Sequence, residues 1–151
     1  NNKKILPTLL SRCINIKISL SNNQSLEIVN RLFDSNLDEM INNDLINYYS
    51  TPGYIYHLIL FAKNNDYDLT QLNLKQFLRS IIKNNHYKKN ILTKYFIFDL
   101  IELYFSRVNF SISKNINNEY SRFLKKISNS IKFNLDEESL FMEFEDKILD
   151  G

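Results

Sequence analysis

The sequence predicts a mainly α-helical protein with one strand near its start, followed by a three-helix unit and then a larger helical bundle. Three observations carry this expectation. Between Cys13 and Leu20, the apolar Ile14, Ile16, Ile18 and Leu20 alternate with Asn15, Lys17 and Ser19, the period of a strand with one buried face. From Ser21 onward, apolar residues recur at spacings of three and four, the period of helices with one buried face. The composition, 44% hydrophobic and 24% charged over 151 residues, is that of a chain able to bury a core.

In chain order, residues 1–20 hold the strand, 21–65 a small helical unit and 66–151 a helical bundle. Ser21 with Gln24 forms a capping box ahead of Leu26, Val29, Leu32 and Phe33, which predicts a helix over 22–34. Asn36 with Glu39 repeats that pattern ahead of Leu37, Met40, Ile41, Leu45 and Tyr48, predicting a second helix over 37–49. Thr51 suits an N-cap and Pro52 the first helical turn, so a third helix is expected over 52–63, with Ile55, Leu58, Ile59 and Ala62 inward. Asn64-Asn65-Asp66 reads as the link to the second unit. Helices are then expected over 69–83, 88–107, 116–132 and 136–149. The helix over 88–107 is apolar on most faces and is the candidate centre of the bundle.

Composition narrows the function. Lys and Arg number 19 against 17 Asp and Glu, so bulk charge does not mark a nucleic-acid binder, and any such contact must come from local clusters. Two clusters exist, Lys83, Lys88 and Lys89, and Lys125, Lys126 and Lys132, with solvated helix surface as the simpler reading of both. Tyr48, Tyr49, Tyr54 and Tyr56 are expected to pack the small helical unit and not to stack on bases. Cys13 is the single cysteine, which excludes an internal disulfide, and His57 and His86 have no paired ligands, so no metal site is expected. No Gly-rich phosphate loop ending in Lys-Ser/Thr is present, no nucleophile has a recognisable histidine and carboxylate, and no cofactor or intrinsic enzyme activity is expected. No apolar run reaches the length of a membrane span and no basic-then-apolar leader opens the chain, so the expected location is the cytoplasm. The chain starts at Asn1 and not at a methionine, which suggests a piece of a longer protein.

The segment Pro7-Thr8-Leu9-Leu10-Ser11-Arg12-Cys13, followed by the alternating strand, resembles the arginine-finger segment of clamp-loader AAA+ subunits. Ser50-Thr51-Pro52-Gly53 is similar to the family's Gly-Ser-Pro-Gly at the third lid helix, with Ser50 departing from the first glycine, and Asn134-Leu135-Asp136 resembles the opening of its final helix. In this order the three look most like the delta-prime branch of that family. The resemblance implies that residues 1–20 end an AAA+ domain, 21–65 form its helical lid and 66–151 the collar that holds a hetero-pentamer together. It further implies that Arg12, flanked by the small Ser11 and Cys13, acts in trans on ATP held by a neighbouring subunit, a task suited to a permanently charged, planar guanidinium. ATP-hydrolysing relatives carry a nucleotide-sensing arginine in the lid where Gly53 stands, so the implied subunit is non-catalytic and works on a sliding clamp and primed DNA through the complex. The alternatives are another clamp-loader subunit, either an active ATPase or replication-factor-C-like, and a free-standing helical adaptor or nucleic-acid-binding module.

Overall fold

The computed structural model describes residues 20–109, 114–133 and 138–149, and every described element is helical. The strand expected up to Leu20 falls outside these residues except for Leu20 itself, which is irregular and half exposed.

Helix α1, Asn22–Phe33, begins at the predicted capping box: the Ser21 amide donates to Gln24 Oε1 at 2.9 Å and the Gln24 amide to Ser21 Oγ at 3.3 Å. It stops at Asp34, whose left-handed φ of 49° turns the next amide, that of Ser35, back to the Asn30 carbonyl at 3.2 Å. Val29 is buried, whereas Leu32, expected inward, is exposed.

The expected helix over 37–49 is absent. In its place stand two 3-10 turns, Leu37–Glu39 and Asn43–Leu45, with Asn36 and Asn42 as their caps. Asparagine is the cause. The side chain of Asn42 accepts from the Asp44 amide at 2.9 Å and that of Asn47 from the Tyr49 amide at 2.8 Å, giving these backbone donors local partners that a continuous helix would have supplied from four residues back. The apolar rhythm survives the break, because Leu37, Ile41 and Leu45 are all buried.

Helix α2, Pro52–Asn64, starts as expected, with the Tyr54 amide donating to Thr51 Oγ1 at 3.2 Å and Pro52 in the first turn. Ile55, Leu58, Ile59 and Ala62 face the core. Helix α3, Leu74–Lys83, begins five residues later than the predicted 69. Asp68 takes the Thr70 amide into a turn at 2.9 Å, and Asn73 with Gln76 forms a second capping box. A 3-10 turn, His86–Lys88, leads into α4, Ile91–Asn109, then α5, Lys114–Phe133, and α6, Glu138–Phe144, which runs on as a π-turn over Glu145–Leu149.

The buried side chains form one cluster reaching from Val29 in α1 to Leu149 at the end of the π-turn. The boundary expected near residue 65 is spanned by this cluster. Phe61 in α2 meets the rings of Phe77 and Phe96 at 6.2 and 5.3 Å, and the Asn42 amide donates to the Leu69 carbonyl at 2.8 Å. Toward the C-terminus, Phe105, Phe123 and Phe144 make a triangle of rings 5.4–5.7 Å apart that joins α4, α5 and α6.

Candidate functional site

Arg12, Ser11 and Cys13 lie outside the described residues. The other position singled out by the sequence, Gly53, is exposed in the first turn of α2. A Cβ placed on it would come no closer than 4.0 Å to Thr51 Oγ1, and its φ is not positive, so the fold does not require glycine here.

Beside this helix start lies a cleft of about 300 Å³, lined among others by Tyr49, Ser50, Thr51, Tyr54, Asp99 and Glu102. Asp99 and Glu102 stand three residues apart and so share the outer face of α4. Partial burial of the Asp99 carboxyl and, second to it, the charge of Glu102 raise its pKa above the ordinary carboxylate value. Tyr54 donates its hydroxyl to the Leu45 carbonyl at 3.2 Å, and burial, aided by Asp99, pushes its phenol far above the usual value. Tyr54 packs as the sequence suggests. Tyr48 and Tyr49 do not: they are 68% and 86% exposed and meet edge to face at 5.4 Å, because the asparagine-capped turn preceding them points their side chains outward.

Two polar junctions escaped the sequence reading. Arg107, near the end of α4, donates to the carbonyls of Asn43 and Ile46 at 2.8 and 2.5 Å and lies 3.5 Å from an Asp44 carboxylate oxygen. The other oxygen of Asp44 accepts from the Leu74 amide at 2.8 Å, so one carboxylate ties the 3-10 turn to the start of α3 and the end of α4. The second junction is His86, 5% exposed, with Nε2 2.9 Å from the Tyr67 hydroxyl. Sequence separations of 19 to 64 residues hide both. His57 is exposed, and among the described residues no three His, Cys, Asp or Glu side chains gather as metal ligands would.

The structure divides the two lysine clusters. Lys88 pairs with Glu138 at 2.7 Å, Lys83 lies 3.8 Å from Glu145, and Lys89 donates to Asn65 Oδ1 at 2.8 Å, so the first cluster ties neighbouring elements together. In the second, Lys126 binds Glu143 together with Lys147 from the π-turn, which holds that carboxyl below its ordinary pKa, chiefly through the Lys126 hydrogen bond. Lys125 and Lys132 remain exposed on α5 with no ion pair to a described residue, as does Arg122. No helix among the described residues is long and apolar enough to cross a membrane.

Compared with protein-family models, with curated proteins and with solved structures, the chain has no match in any of the three.

Proposed function

We propose that this chain is the end of the AAA+ domain, the lid and the collar of a non-catalytic, delta-prime-like clamp-loader subunit, which helps load a sliding clamp onto primed DNA. The observation that carries the reading is the Pro7–Cys13 segment, with Arg12 placed ahead of an alternating stretch and a run of helices. Compatible with it are the helix start at Thr51-Pro52-Gly53, where glycine stands although a Cβ would meet no close contact, and the mainly helical body. In this reading Arg12, flanked by Ser11 and Cys13, neutralises charge on ATP bound by the adjacent subunit, and the helices after residue 65 contact the other members of a hetero-pentamer in the cytoplasm.

The test is reconstitution of the pentamer with the AAA+ portion that this reading requires, comparing wild type with Arg12→Ala. Arginine fingers are worth about 10³-fold or more in turnover at the site they serve, so DNA-stimulated ATP hydrolysis at that site should nearly vanish while assembly persists. Unchanged hydrolysis and clamp loading would remove Arg12 from the mechanism.

One observation favours a second reading, a self-contained helical adaptor: the core runs without interruption across residue 65, where a lid would end and a collar begin. Failure of the chain to join any clamp-loader assembly, with retained folding, would select it.

A further inference from the structure

The outer face of α5 is rich in basic and amide side chains. Arg122, Lys125, Asn129, Lys132 and Phe133 fall within an arc of about 100° at the helical repeat of 3.6 residues. All five are exposed, while Phe123, Ile127 and Ser130 on the opposite side are buried. Between Tyr120 and Leu135 the sequence contains no acidic residue. Among the described residues, the carboxylate paired with α5 is Glu143, and it is taken up by Lys126 and Lys147. Arg122, Lys125 and Lys132 thus form a basic stripe with no neutralising partner among the described residues.

We propose that this stripe binds the backbone of a single-stranded nucleic acid, independently of the subunit assignment above. From Arg122 to Lys132 the helix rises about 15 Å, enough to meet several successive phosphates of one strand. Asn129 and the exposed Ser128 and Ser121 interleave neutral donors of the kind that position phosphates beside the cations. Phe133, 60% exposed at the end of the stripe, supplies a ring on which a base can stack, with Lys132 Nζ 5.1 Å from its centroid. An anionic lipid surface fits less well, since a membrane-lying helix presents a broad apolar face to the acyl boundary and this arc has one apolar residue.

The experiment is fluorescence anisotropy of the 151-residue chain with a labelled thymidine oligonucleotide of about 16 nucleotides, from about 50 to 200 mM salt. Parallel arms use the same length of duplex and vesicles of mixed phosphatidylglycerol and phosphatidylcholine. The single strand should bind, and Arg122→Gln/Lys125→Gln/Lys132→Gln should weaken it at least about tenfold and flatten the log-log salt slope by about 2, as expected for three lost phosphate contacts. Phe133→Ala should weaken it several-fold with the slope unchanged. Glutamine keeps helix propensity, and circular dichroism checks that the fold survives. A charge-matched control, Lys63→Gln/Lys75→Gln/Lys89→Gln, should bind as wild type. No binding at low salt, an equal loss in the control, or equal or tighter binding to duplex or vesicles would overturn the proposal.

Discussion

His86 is a histidine held in an aromatic enclosure, with Phe61 and Tyr67 rings 5.2 and 5.7 Å away. The Tyr67 hydroxyl accepts from Asn84 Nδ2 at 2.8 Å and has the Ser80 carbonyl at 3.4 Å as an outlet for its own proton. This arrangement favours the tautomer in which His86 Nε2–H donates to Tyr67 and Nδ1, which has no partner, is a bare acceptor. The reverse tautomer would bury an unsatisfied N–H, the costlier defect. Protonation places an N–H at Nδ1 in any case. Burial, and secondarily the charge of Lys89, lower the His86 pKa from the usual 6.5. A histidine with a depressed folded pKa binds protons more readily in the unfolded chain, so its contribution to stability is complete above 6.5 and declines as pH falls through that value toward the folded pKa. The melting temperature should therefore drop between neutral pH and mild acid, and His86→Phe should flatten that drop; an identical pH profile in the variant would show that His86 does not govern it. Nothing in the sequence around His86 announces this pair, because Tyr67 stands 19 residues away and only the packing of α2, α3 and the following turn brings them together.

At the scale of elements, the starts of α1 and α2 were legible, whereas the break over 37–49 and the start of α3 were not. Ser21 with Gln24 and Thr51 with Pro52 open α1 and α2 where their chemistry places them, since an N-cap needs only groups within three residues of each other. The segment 37–49 fails for a reason also written in it: four asparagines and aspartates at 42, 43, 44 and 47 offer local partners to the backbone, which the apolar spacing of Leu37, Ile41 and Leu45 masked. For α3, the true cap is Asn73, whose Oδ1 accepts from the Gln76 amide at 2.8 Å. Asn73→Ala removes this bond, while the reciprocal bond from its backbone amide to Gln76 Oε1 remains possible, and should cost about 1 kcal/mol of stability, read as a lower urea midpoint with an unchanged slope. Lys125, Lys126 and Lys132 were read as solvated surface, and only the placement of Glu143 separated the paired Lys126 from Lys125 and Lys132, which have no ion pair to a described residue.

For the whole molecule, the shared core across residue 65 has a measurable consequence. Phe77 is fully buried and its ring meets Phe61 from α2 and Tyr67 from the connecting segment. Phe77→Ala should cost about 3–5 kcal/mol, and hydrogen exchange should show α1 and α2 losing protection together with α3 and α4. Retained protection in α1 and α2 alone would reveal two independent units in place of one cooperative body. The sequence by itself determined the mainly helical class, the starts of α1 and α2 and much of their inward faces, because these follow from caps and periodicities that act over a few residues. Tertiary structure alone decided that one core spans the two helical units, that Arg107 and Asp44 lock the turn over Asn43–Leu45, and which cations have no ion pair to a described residue. Those outcomes depend on groups tens of residues apart meeting in space, and no local pattern encodes such a meeting.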